Sequence, residues 1–280
     1  MTSIAILGYS SIDFPAVIDG YFNGDQTVLI KHRPKDAFPR PGGCPLYVAG
    51  PIAEQGFDSS IISWVGNDEL GRLMIKSARD RGINVDTIAI DRDGSTPMCF
   101  LIYQEDGSCG CCFDPGMLGR EQLDEQQAGT IASSDFVCFT VGPPNVGMAA
   151  LPHVRKDAIV AWVVKCDPKS FTDELRWALA ARADYIFCNR SERRWVDEAL
   201  AKRTGEAPVI FQTNGGGQVE IHSPGGVHVV DVDSLKVHDT TGAGDTFAGG
   251  CITALASKSP DMEQVALAGI AAARDLLGNR

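Results

Sequence analysis

The amino-acid sequence predicts an α/β protein in which helices cover both faces of a mostly parallel β-sheet. Short apolar runs typical of buried strands recur along the chain, for example at 4–8, 61–66 and 137–141. Segments with helical patterns stand between such runs, for example at 173–181. Because this alternation continues along the chain, we expect a three-layer α/β/α sandwich with a mostly parallel central sheet.

The other elements follow from apolar patterning and from residues that end helices. The segment 48–55 and the segment that begins at Asn67 have helical patterns, which Gly56 and Gly82 end. The remaining regular predictions are strands at 83–90, 158–164, 185–188 and 209–213 and a helix at 262–277. Two stretches, 14–40 and 96–113, have the pattern of short strands with connectors, and a turn at 106–108 divides the second.

The composition favours a globular protein that binds neither nucleic acid nor an anionic membrane. With 280 residues and 44% hydrophobic content, the chain can form one large α/β domain or two small ones. Its formal net charge is -11 and its basic residues are scattered, which disfavours both kinds of anionic partner. Neither a secretory signal nor a charge-free apolar run of about 18 residues is evident, so we expect neither export nor a membrane span.

The cysteines predict a reducing compartment. There are nine, an odd number, and no pair spacing repeats, so we interpret them as reduced thiols of a cytoplasmic protein. Cys109, Cys111 and Cys112 form a cluster, but no second Cys or His pair stands at a zinc-like distance. The segment also alternates as a strand does, which favours a strand over a metal site.

The stretch Asp-Thr-Thr-Gly-Ala-Gly-Asp at 239–245 indicates an anion site at the start of a helix. Its three small residues let a ligand approach the backbone, and the unpaired N–H groups and dipole of a helix favour negative charge. Asp245 would repel such a ligand, and general base catalysis explains its presence: it would take a proton from a hydroxyl that attacks a phosphoryl group. The alternative is an ordinary turn in which Asp245 only complements the dipole.

Five motifs, in this order along the chain, resemble the ribokinase-like (PfkB) family of sugar and nucleoside kinases. They are Asp13, Gly42-Gly43, Asn189 to Glu192, Thr213 to Gly217 and Asp239 to Asp245. The resemblance spans nearly the whole chain, and the sequence has no Gly-x-x-x-x-Gly-Lys-Ser/Thr motif of a P-loop kinase. It implies one kinase domain over residues 1–280, with a small β-sheet lid from about 14–40 and 96–113.

The resemblance implies catalytic and acceptor-binding roles. Asp245 would be the base, and the residues of the anion hole would be Gly242, Ala243 and Gly244. The residues that bind the acceptor would be Asp13, Gly42, Gly43 and Tyr47, where Tyr47 stands in place of the family's Asn. A loop-capping role for Asp13 is the alternative, because Asp is common in turns.

The resemblance also implies how nucleotide and cations are held. The residues that bind ATP would be Asn189, Thr213, Gly215 and Gly216. Glu192 would order Mg²⁺ through water, and Asp239 would contribute to a monovalent cation site whose need for K⁺ stays open. The alternatives are a capping box at Asn189 and Glu192 and a plain hairpin turn after Thr213.

These observations predict ATP-dependent phosphorylation of a primary hydroxyl on a small sugar or sugar-like substrate. A nucleoside is the rival acceptor, because Tyr47 replaces Asn and because 142–144 lacks the substrate-binding Glu of ribokinase-type members. A sugar- or nucleoside-binding protein that no longer catalyses transfer also stays open. In the family such lids meet across a dimer, so the resemblance implies a homodimer as well.

Overall fold

Two β-sheets and eight α-helices make up the computed structural model, which describes residues 2–34, 38–117, 119–233, 235–258 and 261–280. The strands are β1 (Ser3–Leu7), β2 (Ser11–Ile18), β3 (Ile30–His32), β4 (Arg40–Gly42), β5 (Asp58–Gly66), β6 (Ile88–Asp91), β7 (Met98–Tyr103), β8 (Cys109–Asp114), β9 (Phe136–Phe139), β10 (Ile159–Val163), β11 (Tyr185–Asn189), β12 (Val209–Thr213), β13 (Gln218–Ser223) and β14 (Gly226–Asp231). The helices are α1 (Cys44–Glu54), α2 (Glu69–Asp80), α3 (Glu125–Ser133), α4 (Pro144–Ala150), α5 (Asp173–Arg182), α6 (Arg193–Leu200), α7 (Ala243–Ala256) and α8 (Met262–Gly278), and Leu151–His153 forms a 3₁₀ turn.

The central sheet is parallel over most of its width. Its strand order is β14-β13-β12-β11-β10-β9-β1-β5-β6. The strands from β12 to β6 pair in parallel, while β13 and β14 are added antiparallel at one edge. The carboxyl ends of the parallel strands therefore meet along one side of the sheet, where α/β folds bind ligands.

A hydrophobic core lies on each face of the central sheet. Because side chains alternate along a strand, Ile4 and Ile6 of β1 join one core and Ala5 and Leu7 join the other. The first core includes side chains of α1, α2, α7 and α8, and the second includes side chains of α3, α4, α5 and α6. The predicted three-layer α/β/α class is confirmed.

The second, smaller sheet has the order β3-β2-β7-β8, and β4 pairs with the start of β2. Asp13 lies opposite Cys99, and Cys99 lies opposite Phe113, so these side chains share one face of the sheet, the inner face. The ring of Phe113 is 5.1 Å from that of Tyr9, which follows β1. The inner face therefore looks towards the carboxyl edge of the central sheet.

The helices α1 and α7 bring two glycine turns together. Gly43 has φ = 85° and precedes α1, and Gly242 has φ = 76° and precedes α7. A Cβ at Gly249 of α7 would lie 2.3 Å from the carbonyl oxygen of Val48 in α1. Because the two helices pack this closely, the turns that precede them lie side by side.

The structure differs from the sequence prediction in several elements. The predicted strand at 83–90 begins only at Ile88, because Asn84 forms a single bridge with Ser60. Strand β14 and helices α3 and α4 were not predicted. In α3 the fully buried Gln127 donates to the carbonyl oxygen of Thr87 at 3.0 Å, and a buried amide interrupts the apolar pattern that marks a helix. Within the described ranges, no helix combines the length and apolarity needed to cross a membrane.

Candidate active site

The segment before α7, which we call the anion turn (residues 239–245), presents backbone N–H groups at the start of a helix. The N–H of Ala243 donates to the carbonyl oxygen of Thr240 at 3.1 Å. In the described part of the chain, the N–H groups of Gly242, Gly244 and Asp245 have no protein acceptor. The predicted anion hole therefore loses the Ala243 donor to the turn itself and gains the N–H of Asp245.

Asp245 stands in the first turn of α7 and is half-buried. Burial raises the pKa of this carboxyl, while the Lys165 ammonium and the Cys44 thiol oppose the shift. Cys44 directly follows Gly43, so the Asp245 carboxylate lies beside the acceptor turn predicted from the sequence. A carboxylate with a raised pKa is a better proton acceptor than an ordinary one.

Tyr47 connects the two glycine turns. Its side chain is 5% exposed, and its hydroxyl donates to Asp13 Oδ2 at 3.1 Å. A Cβ at Gly242 would lie 2.5 Å from Cγ of Tyr47, so the ring packs directly against that glycine. The Tyr47 ring therefore packs within the protein and is not free to stack on a base.

Asp13 lies within β2 rather than in a capping loop, and it is 3% exposed. Burial raises the pKa of this carboxyl to about 6, although hydrogen bonds from Ser11 and Tyr47 and the charge of Arg40 oppose the shift. The Ser11 hydroxyl donates to Asp13 Oδ1 at 2.9 Å. A Cβ at Gly42 would lie 2.1 Å from Asp13 Oδ2, so only glycine leaves room for the carboxylate there.

Gly43 allows the chain to pass close to the end of β1. A Cβ at this position would lie 2.4 Å from the carbonyl oxygen of Tyr9 and 2.7 Å from the N atom of Ser11. Its positive φ adds a second reason for glycine. The structure thus explains Gly42 and Gly43 by contacts within the protein, and their contact with an acceptor stays a prediction.

Asn189 and Glu192 bond to each other at the carboxyl end of β11. Asn189 Oδ1 accepts from the N–H of Glu192 at 3.0 Å, and Glu192 Oε2 accepts from the N–H of Asn189 at 2.9 Å. These are the bonds of the predicted capping alternative. Burial raises the pKa of Glu192, Lys165 opposes that shift, and Asp245 adds to it. Glu192 therefore closes the turn that precedes α6 and also faces the charged groups around Asp245.

These oxygen donors suit Mg²⁺, which keeps several of its waters and needs few protein ligands. The Glu192 carboxylate is 6% exposed and lies within the field of the Asp245 carboxylate. Among the residues that the structure describes, no group of three or more His, Cys, Asp or Glu side chains gathers as a metal site. Glu192 and Asn189 therefore fit a magnesium ion that is held mainly by water and substrate phosphates.

Thr213 ends β12 beside Asn189, its partner in the parallel pairing of β11 and β12. The following segment is a hairpin turn into β13, in which the N–H of Gly217 donates to the carbonyl oxygen of Asn214 at 3.1 Å. Gly215 has φ = 57° in this turn, and Gly216 is exposed. The segment after Thr213 is therefore the hairpin turn that was the alternative interpretation. Nucleotide binding by Thr213, Gly215 and Gly216 stays a prediction.

Asp239 lies at the centre of a buried network and is 6% exposed. Its carboxylate accepts from Arg40 at 2.6 Å, from the Tyr103 hydroxyl at 3.0 Å and from the N–H of Thr241 at 2.9 Å. Burial works against ionisation, but hydrogen bonds from Thr241 and Arg40 and the charge of Arg280 hold the pKa of Asp239 below the usual value. The network fastens the small sheet to the anion turn.

The sequence analysis missed several residues that surround this site. They are Arg40, Cys44, Tyr103, Lys165 and Arg280. Although desolvation opposes its charge, Cys44, Asp245 and Glu192 raise the pKa of Lys165 to about 12. Lys165 comes two residues after the end of β10, and that position at the carboxyl edge of the sheet was the signal for it. No comparable signal marks Arg40, Tyr103 and Arg280, which are far apart in the sequence.

The predicted residues converge on the carboxyl edge of the central sheet. Tyr47 joins Asp13 to the anion turn, Cys44 joins Gly43 to Asp245, and Lys165 joins Asp245 to Glu192. A surface groove of about 410 Å³ along residues 19–29 is lined by none of the predicted site residues. The candidate active site is therefore this edge, which the inner face of the small sheet overlooks.

Curated relatives that match the chain are sugar kinases by name. An ATP-dependent ribose-1-phosphate kinase of Halopiger xanaduensis is 28% identical over 262 residues, which cover 90% of this chain and 84% of that protein. A 5-dehydro-2-deoxygluconokinase of Bacillus cereus is 25% identical over 245 residues, covering 76% of this chain and 73% of that protein.

Solved structures share the fold at low sequence identity. A ribokinase from Cryptococcus neoformans in complex with ADP superposes with a TM-score of 0.83 at 18% identity, covering 100% of this chain and 95% of that chain. A nucleoside kinase of Methanocaldococcus jannaschii gives a TM-score of 0.76 at 19% identity, covering 99% and 92%. The family model described as pfkB family carbohydrate kinase matches residues 1–274. The chain therefore belongs to the pfkB family of carbohydrate kinases.

Proposed function

We propose that this protein transfers the terminal phosphoryl group of ATP to a primary hydroxyl of a small sugar or sugar-like substrate. The observation that carries the proposal is the position of Asp245 beside backbone N–H groups that have no acceptor in the described chain. A hydroxyl can lose its proton to Asp245 while those donors receive the developing charge on the phosphoryl group.

The acceptor would be oriented by Asp13. At neutral pH a carboxyl with a pKa of about 6 is ionised, and an ionised carboxylate accepts hydrogen bonds from substrate hydroxyls. Tyr47 and Ser11 each occupy one direction at this carboxylate, which leaves further lone pairs for the acceptor. Because Asp13 is fixed in a strand, it can hold a hydroxyl in a defined position relative to Asp245.

Lys165 and Glu192 would control charge beside the transferred group. The ammonium faces both Asp245 and Glu192, so it offsets the repulsion between these acids and an incoming phosphate. Mg²⁺, held by Glu192 and Asn189 through water, would supply further positive charge to the substrate phosphates. Thr213, Gly215 and Gly216 follow along the same edge, where they would contact the nucleotide.

The small sheet would act as a lid. Its inner face carries Asp13 and looks over the edge where Asp245 stands. Covering the reacting groups excludes water, which would otherwise accept the phosphoryl group in place of the sugar. This role assigns a function to the predicted lid segments 14–40 and 96–113.

A nucleoside acceptor is the second candidate, and one feature of the inner face favours it. The rings of Tyr9 and Phe113 lie 5.1 Å apart, and Phe113 is 39% exposed. An exposed aromatic ring beside the acceptor site can stack on a base. Tyr47 gives this candidate no support, since its ring packs against Gly242.

The acceptor can be identified with a substrate panel. Purified protein would be incubated with Mg-ATP and hexoses, ribose, ribose-1-phosphate or nucleosides, with ADP release and product mass as readouts. Ribose-1-phosphate is included because of the similar Halopiger protein. Sugar phosphate formation supports the leading proposal, and phosphorylation of nucleosides alone supports the second candidate. A ligand-induced melting shift without product would favour a non-catalytic binding protein.

The role of Asp245 can be tested with Asp245→Asn. Because this change removes the base but keeps the shape of the side chain, turnover should fall by at least about a hundredfold while the protein stays folded and its melting temperature does not fall. Glu69→Gln is a matched control, since Glu69 is also an acid in a first helical turn, that of α2. Near-normal turnover by the Asp245 variant would refute the assignment.

A further inference from the structure

The guanidinium of Arg280 lies against the anion turn. Its Nη1 donates to the carbonyl oxygen of Thr241 at 2.5 Å and lies 3.4 Å from both the carbonyl oxygen and Oδ1 of Asp239. The side chain is 12% exposed. Three oxygen atoms of the turn thus converge on one nitrogen of a permanent cation.

This contact determines how the peptide between Thr241 and Gly242 is oriented. A trans peptide is planar, so its N–H points away from its carbonyl oxygen. Because Arg280 holds the carbonyl of Thr241, the N–H of Gly242 points to the opposite side, where the described chain offers it no acceptor. Gly242 has φ = 76° and no Cβ, so glycine alone would tolerate other orientations of this peptide. Arg280 therefore selects the orientation that an anion requires.

The surroundings hold Arg280 in place. Helix α8 packs closely on α7, because a Cβ at Gly269 would lie 2.5 Å from Sγ of Cys251. The guanidinium carbon of Arg280 is 5.8 Å from the centre of the Tyr47 ring, which itself contacts Gly242. Arg280 thus follows a helix that packs on α7, and its guanidinium lies near the ring that packs against the anion turn.

Electrostatics give the guanidinium a second role. The oxygen cluster of Asp239 and Thr241 carries negative and partial negative charge in a site where Asp239 is 6% exposed. Such a cluster needs a cation, and oxygen atoms of this kind also suit K⁺ or Na⁺. Arg40 binds the other carboxylate oxygen, Oδ2, so Arg280 supplies the charge on the side of the turn.

We propose that Arg280 is a positioning residue that orients the anion turn and replaces the monovalent cation predicted at Asp239. The proposal rests on the proposed phosphoryl transfer, since the turn matters only if it receives a phosphoryl group. It assigns to the protein itself the charge that an added cation would bring. Activity therefore needs no added monovalent cation.

The experiment compares wild type, Arg280→Ala and Arg280→Lys in KCl and in choline chloride. Wild type should have the same kcat in both salts. Loss of one correctly oriented donor should lower the kcat of Arg280→Ala on the order of a hundredfold, with a much smaller change in the acceptor KM. Millimolar guanidinium chloride, or KCl, should restore part of the kcat. Arg280→Lys keeps a cation and should retain more activity than Arg280→Ala.

Arg274→Ala is the matched control. Arg274 lies in the last two turns of α8, shortly before Arg280, but it donates to the carbonyl oxygen of Asp233 at 3.0 Å and makes no contact with the anion turn among its described partners. If Arg280 only anchored α8, both alanine variants would behave alike and guanidinium would rescue neither. The proposal would be overturned by that result. It would also be overturned if Arg280→Ala had the kcat of wild type, or if wild type required KCl for activity.

A separate binding measurement distinguishes this proposal from the proposed function. Calorimetry would compare ADP with a non-hydrolysable ATP analogue for wild type and Arg280→Ala. In wild type the analogue, which has a third phosphate, should bind more tightly than ADP. If Arg280→Ala lacks this gain in affinity, the positioning role is supported even when no acceptor in the panel is phosphorylated. Equal gains in both proteins would overturn it.

Discussion

Asp13 shows how the surroundings of one residue set its chemistry. Its carboxyl is held in a buried strand, where hydroxyl groups of Ser11 and Tyr47 donate to it. Burial raises its pKa to about 6 despite these donors and despite Arg40. The charge that would bind an acceptor is therefore maintained against the cost of burial.

This cost gives a prediction for stability. The pKa of Asp13 is higher in the folded protein than in the unfolded chain, so between about pH 4 and pH 6 the folded state holds the extra proton and the free energy of unfolding falls as pH rises. Asp13→Asn removes the ionisation and should raise the free energy of unfolding at pH 7 by about 3 kcal/mol, a gain that shrinks towards pH 4. Urea denaturation at both pH values measures it.

The same variant should lose function. Without the carboxylate, kcat/KM for the acceptor should fall at least about a hundredfold, and in wild type it should fall as pH drops through about 6. Asp19→Asn is the control, because Asp19 is an exposed carboxylate that follows the same strand. An Asp13 variant that is less stable at pH 7, or that binds acceptor normally, would contradict the assignment.

Tyr47 marks the limit of prediction for single residues. Its replacement of Asn was visible in the sequence, but its role depends on contact with Gly242, 195 positions further along. A residue type and a local pattern do not specify which distant segment packs against a ring. The sequence therefore identified the position and left its function open.

Among the elements, β8 places cysteines on both faces of the small sheet. Cys111 shares the inner face with Cys99, and their Sγ atoms are 3.2 Å apart, whereas Cys112 points to the other face. The hydrogen bond from Cys99 lowers the pKa of Cys111 to about 7, with help from Lys165 and against the effect of burial. The strand interpretation of this cluster thus places a reactive thiol on the side of the active site.

Because Cys111 and Cys112 lie on opposite faces of β8, we expect ligands to change the rate at which a thiol reagent labels Cys111 but not the rate at which it labels Cys112. Because the thiolate is the nucleophile, alkylation of Cys111 by iodoacetamide should accelerate as pH rises through about 7. Mg-ATP with acceptor should slow it, since Cys111 lies on the inner face of the proposed lid. Mass spectrometry after timed labelling resolves each cysteine, and Cys112, opposite Phe100 on the outer face, is the control whose labelling rate should be the same with and without ligands. Equal protection of both residues, or of neither, would argue against a lid that covers the acceptor.

The elements themselves were largely predictable, for reasons that differ between them. Buried parallel strands such as β1, β9 and β12 are short apolar runs, and their pattern is local. Helix α3 was missed because it buries an amide, and the end of β7 gave no sign that Tyr103 bonds Asp239 and Thr241. Side chains whose role comes from contacts between distant elements leave no periodic signal.

At the scale of the whole molecule, the outer face of the small sheet carries exposed apolar side chains beside buried ones such as Ile12 and Ile18. Phe14 and Phe100 stack there with their ring centres 5.1 Å apart, and Phe100 is 43% exposed. Ile30, on the edge strand β3, shares this face and is 56% exposed. Exposed apolar side chains on one sheet, next to an edge strand, are typical of an interaction surface. The homodimer predicted from the family resemblance would cover this face.

A charge on the outer face should therefore separate the subunits. We expect wild type to be a dimer by light scattering and Phe100→Asp to be a monomer, because burying an unpaired carboxylate opposes association. Ile90→Asp is the control: Ile90 is 55% exposed on β6, at the opposite edge of the central sheet from β14, and its change should leave the dimer intact. A monomeric wild type or a dimeric Phe100→Asp would refute the interface.

Since β2 carries Phe14 on the outer face and Asp13 on the inner face, loss of the dimer should also raise the KM for the acceptor. Assembly would then be coupled to the active site.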